Sequence, residues 1–112
     1  MRRDDATLLD LLKAARLALQ FKGDATRQEF LDDDKTQSAV LHQLLLLGEG
    51  AKRLSEQFRD KHPGMPWKHI AGMRDKLIHE YDTVDIEEVW STIERDVPAL
   101  LAFLDAIAPV QK

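Results

Sequence analysis

The chain has 112 residues, of which 44% are hydrophobic and 32% charged, and this ordinary globular balance predicts one domain over residues 1–112. It contains no cysteine, which excludes a disulfide framework, a thiolate nucleophile and a cysteine-bound metal. The formal charge of −4 argues against a protein dominated by phosphate binding. Because no apolar run approaches roughly 18 residues and the N-terminus turns acidic, we expect a soluble cytoplasmic domain with no membrane contact.

Basic residues are concentrated in the middle of the chain. Residues 52–76 carry a net charge of +4, whereas residues 77–112 carry −6. Two interpretations are open for the basic stretch: a small anion-binding footprint, or the solvated charged faces that helices ordinarily carry. Composition alone favours the second interpretation.

The first quarter of the chain predicts two helices. Apolar residues recur at helical spacing from Asp4 to about Lys22, and Gly23 suits the exit of that helix. Thr26 with Glu29 three residues later forms a capping-box pattern, which predicts a short helix over Thr26–Leu31.

A longer apolar stripe predicts a helix that extends through Val40 to Phe58. Leucines beside the stripe, including Leu46, add apolar surface, so we expect a subunit interface to cover part of it. Gly48 and Gly50 in this run are typical of positions where two helices pack closely, and a lone Gly-x-Gly is weak evidence for a phosphate loop.

The second half of the chain predicts further helices. A Pro-Gly connection at residues 62–66 precedes a third major helix, from about Trp67 to His79 or Tyr81. Asp85 is the expected N-cap of the last helix, in which Pro98 should cause a kink or a split. The predicted fold class is therefore all-α, an antiparallel helical bundle of four to five helices.

Most of the usual catalytic arrangements are missing from the sequence. The four histidines form neither a His-x-x-x-His pair nor a His-Glu-x-x-His motif, and His62 and His69 lie on either side of the Pro-Gly connection. The serines lie in helical runs without the context of a nucleophile elbow. We therefore predict no metal site and no serine triad.

The segment Gly72–Asp82 combines side chains that could perform chemistry on a phosphodiester. On a continuous helix, Asp75 and His79 would share a face and Arg74 and Tyr81 would lie within about 20° of each other. Arg74 and His79, in contrast, would lie about 140° apart. Their convergence would need the helix to end near His79, or a second copy of the motif from another subunit.

Such a set could cleave RNA. A histidine can take the proton of a 2′-hydroxyl or protonate the leaving oxygen, and an arginine can bind the scissile phosphate in a bidentate manner. The competing interpretation is a surface ion-pair group with an ordinary half-buried tyrosine, and spacing alone favours it.

The segment nevertheless matches a family signature. Arg74, His79 and Tyr81 fit the R-x4-H-x-Y pattern of the HepT-like branch of the HEPN superfamily, and the resemblance extends from about residue 8 to residue 107. The blocks that carry it are, in order, Leu47–Ser55, His62–Trp67, Ile70–Asp75, Val84–Asp85 and Val89–Trp90.

The resemblance implies a HEPN-like helical bundle that acts as a metal-independent endoribonuclease without a cofactor, the toxin of a toxin–antitoxin pair. It implies an antitoxin of the MNT-type nucleotidyltransferase class and a homodimer whose motif helices face a shared cleft. Carried over by residue, Arg74 and His79 are the catalytic pair, Asp75 is the supporting polar residue and Tyr81 accepts AMP. Such an adduct would add bulk and negative charge where the RNA phosphate must lie.

The basic residues before the motif are the candidates for RNA binding: Lys52, Arg53, Lys68 and Lys76. The chain departs from the family in having Asp82-Thr83 after the tyrosine instead of an aromatic-Gly pair. Two alternatives stay open, a non-catalytic HEPN module that binds a nucleotidyltransferase and a generic regulatory bundle.

Overall fold

Helices account for nearly all regular structure in residues 3–108, which are the residues that the computed structural model describes. The α-helices are α1 (Arg3–Lys22), α2 (Arg27–Leu31), α3 (Asp34–Arg53), α4 (Glu56–Lys61), α5 (Trp67–Ala71), α6 (Met73–Leu77), α7 (Ile86–Ser91) and α8 (Val97–Ile107). A 3₁₀ turn spans Glu80–Asp82 and a π-helical turn spans Thr92–Asp96. Within the described residues there is no strand, so the predicted all-α class is confirmed.

Polar contacts at the helix ends show that α1 is antiparallel to both α3 and α8. Asp4, near the start of α1, accepts hydrogen bonds from the backbone N–H and the hydroxyl of Ser55, just beyond α3, at 2.9 and 2.6 Å. Lys22 at the end of α1 pairs with Glu94 at 3.0 Å, whereas Arg16 pairs with Asp105 in α8 at 2.7 Å. These three helices therefore form the antiparallel centre of the bundle.

The core is built from the apolar stripes that the sequence predicts. Most of the fully buried side chains come from α1, α3 and the C-terminal segments, including Leu11, Leu44, Leu47, Ile93 and Leu104; α2 and α6 add Phe30 and Leu77. Burial of each such side chain contributes about 1.5–3 kcal/mol relative to leaving it in water.

Two glycines let α3 approach its neighbours closely, as predicted. A Cβ on Gly48 would lie 3.1 Å from the Cβ of Met73 in α6, and a Cβ on Gly50 would lie 2.5 Å from Leu11 in α1. Gly48 thus sets how near α6, which carries the first motif residue, lies to the core.

The caps explain where the short helices begin. Thr26 and Glu29 form both hydrogen bonds of the predicted capping box, so the short second helix is confirmed. Gly23 adopts a φ of 56°, which ends α1 as expected.

The predicted helix through Val40–Phe58 is wrong beyond Arg53. Leu54 is extended, with φ −66° and ψ 139°, and Ser55 then caps α4 by accepting a hydrogen bond from the N–H of Phe58 at 3.1 Å. The last helix is divided as Pro98 predicts, because a π turn over Thr92–Asp96 comes before α8 and Pro98 lies in its first turn.

No helix between residues 3 and 108 is long and apolar enough to cross a membrane. The prediction of one domain over residues 1–112 includes six terminal residues, 1–2 and 109–112, that lie outside the described part of the chain.

Candidate functional site

The motif lies on a helix end and the loop that follows it, not on one continuous helix. The predicted helix from Trp67 divides at Gly72 and ends at Leu77, after which Ile78 and His79 are extended. A backbone bridge between Ile78 and Val84 closes the segment into a narrow loop. We call residues 78–84 the motif loop. The helical spacing that would place Asp75 beside His79 is therefore not realised.

Backbone hydrogen bonds fix the two arms of the motif loop. The N–H of His79 donates to the carbonyl of Thr83 at 2.8 Å, and the N–H of Asp85 donates to the carbonyl of Leu77, also at 2.8 Å. Because Leu77 is fully buried, this second bond anchors the base of the loop to the core.

His79 lies against Asp85. Its Nε2 is 3.1 Å from Oδ2 of Asp85, while Oδ1 of the same carboxylate accepts the N–H of Glu88 at 3.1 Å and so caps α7. The hydrogen bond with His79, followed by the one from the Glu88 backbone, lowers the pKa of Asp85 below its usual value. The predicted N-cap is confirmed, and the same carboxylate is the partner of the histidine.

Arg74 extends from α6 towards the other arm of the motif loop. Its guanidinium is 3.4 Å from Oδ1 of Asp82, and both side chains are more than half exposed. An ion pair this exposed contributes little to stability, roughly 0.2–1 kcal/mol. Asp75, the predicted supporting residue, is exposed beside Arg74 on α6.

Tyr81 is at the tip of the motif loop. Its side chain is 98% exposed, the highest value among the large hydrophobic residues of the described chain. Tyr81 and Asp82 have φ values of 62° and 57°, in the left-handed region that few residues other than glycine adopt. The backbone hydrogen bonds of the two loop arms hold this conformation, and the phenol is exposed to solvent.

The predicted RNA-binding residues differ in their accessibility. Lys52 pairs with Glu49 at 3.4 Å and Arg53 approaches Asp10 at 3.9 Å, and all four side chains are more than half exposed. Lys68 is exposed on α5. These three cations are therefore available to an anionic ligand.

Lys76, the fourth candidate, is engaged within the protein. Its Nζ is 2.9 Å from Asp96 and 3.4 Å from Glu88, and only 20% of its side chain is exposed. These ion pairs connect α6 to the helical segments that follow the motif loop. Lys76 therefore has a structural role in this chain, on the protein side of the site.

Residues 3–108 contain no group of three or more His, Cys, Asp or Glu side chains that could hold a metal ion. The chemistry available at the motif loop is that of an arginine, a histidine paired with a carboxylate, and an exposed phenol.

Sequence reasoning missed the contacts of Asp82 and Asp85 with the motif side chains. The signal for Asp85 was present, because an N-cap carboxylate six residues after a histidine can face it when the intervening chain turns back. Nothing in helical spacing could show that the chain does turn there.

A helical bundle with Arg74, His79 and Tyr81 on one helix end and the loop after it has the all-α fold class that the resemblance implies. The model of the family described as Ribonuclease HepT-like matches residues 11–107, and the chain belongs to this family. No solved structure matches the chain.

Two curated relatives have similar lengths. The chain is 41% identical over 93 residues to "Probable ribonuclease HepT" of Thermococcus cleftensis, an alignment that covers 83% of this chain and 84% of that protein. It is 43% identical over 93 residues to a protein of Methanocaldococcus jannaschii named "Putative RNase", with 83% and 77% covered.

Proposed function

We propose that this protein is a metal-independent endoribonuclease in which Arg74 and His79 act on the scissile phosphodiester. The observation that carries the proposal is the presence of both exposed side chains of the R-x4-H-x-Y motif beside one loop, in a member of the Ribonuclease HepT-like family. The names of the two relatives support the same reaction.

The proposed reaction needs no group beyond the RNA and the protein. The 2′ oxygen forms a bond to phosphorus, the bond from phosphorus to the 5′ oxygen breaks, the 2′-hydroxyl gives up its proton and the leaving oxygen gains one. His79 would accept the first proton or donate the second. Arg74 would bind the phosphate and stabilise the charge that gathers on its oxygens. The accessible cations Lys52, Arg53 and Lys68 would contact flanking phosphates, so replacing all three by alanine should weaken RNA binding and reduce its salt dependence.

The test is RNA cleavage by the wild type, Arg74→Ala and His79→Ala, each checked for helical content by circular dichroism. We expect both variants to lose at least about 100-fold in rate, the usual contribution of a positioned acid or base for His79 and of a charge-stabilising donor for Arg74. Asp24→Asn, on the exposed turn after α1, serves as the control for a change of surface charge. Equal cleavage by all four proteins, or equal absence of it, would contradict the assignment.

We propose further that Tyr81 is the residue through which the activity is silenced. An MNT-type nucleotidyltransferase antitoxin would join the phenolic oxygen to the α-phosphorus of ATP, releasing pyrophosphate and the phenolic proton. The exposure of Tyr81 at the loop tip supports this proposal, because the acceptor oxygen must enter the active site of another enzyme. The adduct would lie close to Arg74 and block the RNA phosphate.

Mass spectrometry after incubation with the partner and ATP tests the switch. We expect one adenylyl increment on the wild type, none on Tyr81→Phe, and loss of cleavage in the modified protein. An increment that persists in Tyr81→Phe would show that another residue is the acceptor.

In this proposal the chain is the toxin of a cytoplasmic toxin–antitoxin pair and acts as a homodimer. Exposed apolar side chains support self-association: Leu46 on α3 is 44% exposed and Phe21 at the end of α1 is 38% exposed. Leu46 lies in a shallow groove with Leu17 and Lys13 of α1.

The second candidate function is a non-catalytic HEPN module that binds the nucleotidyltransferase. The contact between Arg74 and Asp82 favours it, because a carboxylate already lies where a phosphate would bind. Tyr81-dependent complex formation without RNA cleavage would select this alternative.

A further inference from the structure

The carboxylate of Asp85 has two roles in the fold, one for each oxygen. Oδ1 accepts the N–H of Glu88 and caps α7, and Oδ2 lies 3.1 Å from Nε2 of His79. The backbone bond from Asp85 to Leu77 and the bridge between Ile78 and Val84 fix both residues relative to the core. The backbone therefore holds the side chains of Asp85 and His79 close to each other.

The ionisation of Asp85 decides which ring nitrogen of His79 carries the proton. Because its hydrogen bonds lower the pKa of Asp85, the carboxylate is ionised at neutral pH and can only accept hydrogen bonds. Nε2 must then be the donor, and in the neutral ring the proton is absent from Nδ1.

The geometry points to Asp85 as a positioning residue that holds His79 in the Nε2-protonated tautomer and leaves Nδ1 to exchange a proton with RNA. This role rests on the proposed ribonuclease function and assigns to Asp85 the task that helical spacing gave to Asp75. In the forward reaction, Nδ1 accepts the 2′-hydroxyl proton as the bond from the 2′ oxygen to phosphorus forms. The resulting imidazolium faces the Asp85 carboxylate, which stabilises its charge.

Asp85→Asn separates this role from helix capping. Asparagine is as good an N-cap as aspartate, so its side-chain oxygen keeps the bond to the N–H of Glu88. Its amide group then takes the place of Oδ2 and presents N–H donors to Nε2. A donor at that point requires Nε2 to accept, which moves the proton of the neutral ring to Nδ1, the nitrogen that should receive the 2′ proton.

The experiment combines nitrogen-15 NMR of the imidazole with steady-state cleavage kinetics. The ring signals of His79 are assigned by their loss in His79→Ala and are recorded at a pH where the ring is neutral. We expect protonation at Nε2 in the wild type and at Nδ1 in Asp85→Asn. We also expect kcat to fall by about tenfold with KM nearly unchanged. This loss is far smaller than the roughly 10⁴-fold loss for a buried Asp–His pair, because both side chains here are partly exposed.

Two further variants control for stability. Asp33→Asn alters the equivalent N-cap of α3, which accepts the N–H of Thr36 at 3.1 Å, and should leave both the His79 tautomer and kcat unchanged. Asp85→Ser keeps a capping oxygen and removes the group that faces His79, so it should give a mixture of tautomers and a smaller loss in kcat than Asp85→Asn.

An unchanged tautomer in Asp85→Asn would overturn the inference, and so would a changed tautomer with an unchanged kcat. If the wild type leaves RNA intact, the ribonuclease proposal itself fails. The NMR spectrum then decides separately whether Asp85 sets the tautomer of His79, because that measurement does not require RNA cleavage.

Discussion

Each of the two charged side chains of the motif contacts one aspartate: Arg74 contacts Asp82, and His79 contacts Asp85. Asp85 contacts His79 and in our proposal sets its tautomer, whereas Asp82 lies 3.4 Å from Arg74, where we propose that an RNA phosphate binds. Asp82 and Thr83 also stand where the resemblance leads us to expect an aromatic-Gly pair. Asp82 therefore places a competing carboxylate beside the arginine that we propose to be catalytic.

We expect Asp82→Asn to bind RNA about two- to fivefold more tightly than the wild type, the factor that corresponds to losing one exposed ion pair. Asparagine tolerates a left-handed backbone, so the motif loop should keep its φ of 57° at this position. Equilibrium binding to a short RNA at fixed salt measures the change. The matched control is Asp24→Asn, and an equal gain in both variants would mean that only net charge matters.

At the scale of the elements, carboxylates stabilise the beginnings of three helices. Hydrogen bonds to Thr26, Thr36 and His79 lower the pKa values of Glu29, Asp33 and Asp85, respectively. A carboxyl group whose pKa is lower in the folded protein than in the unfolded chain stabilises the fold above the unfolded value of about 4. That stabilisation is lost as the pH falls through the folded value.

We therefore expect the free energy of unfolding, measured with urea, to change little through these groups from pH 7 to about 5 and to decrease below about pH 4. Asp33→Asn keeps the cap without a titratable group, so its decrease in acid should be smaller than that of the wild type. Parallel curves for the two proteins would show that the caps are not the source of the acid sensitivity.

Apolar periodicity does not show where a helix ends. Leu54 is 2% exposed and Phe58 is half-buried, so the apolar stripe of α3 continues across the break at residues 54–55. The same holds at the end of α6, where the partly buried side chain of the extended residue Ile78 follows the fully buried Leu77. A core accepts an apolar side chain from a helix or from an extended residue, so burial alone does not reveal the turn.

At the scale of the whole molecule, the central question is whether one chain or two chains complete the site. Gly48 faces Met73 of α6, and Leu46 lies two residues earlier, about 200° around α3. The groove at Leu46 is therefore on the opposite side of α3 from the motif. A dimer through that groove would separate the two motif loops, whereas a dimer through the motif face would bring them together.

Mixing Arg74→Ala with His79→Ala distinguishes these arrangements. If each site takes its arginine from one subunit and its histidine from the other, every mixed dimer has one complete site. An equimolar mixture after subunit exchange should then recover about a quarter of the wild-type activity. We expect this recovery, because the resemblance implies a homodimer whose motif helices face a shared cleft; the groove at Leu46 would then serve a separate contact. Absence of recovery, with subunit exchange shown by mass spectrometry, would place both residues of a working site in one chain.

The sequence by itself determined the all-α fold class, the family, the caps at Thr26 and Asp85, and the close packing at Gly48. Each of these depends on contacts between residues close in the chain or on a pattern of residue types. Only the tertiary structure decided that the motif helix ends at Leu77, that Asp85 rather than Asp75 faces His79, and that Lys76 is held by Asp96 and Glu88. These outcomes depend on how the chain folds back after α6 onto the last helices. Backbone hydrogen bonds and core packing between segments distant in the sequence fix that path, and the spacing of residues within one helix does not predict it.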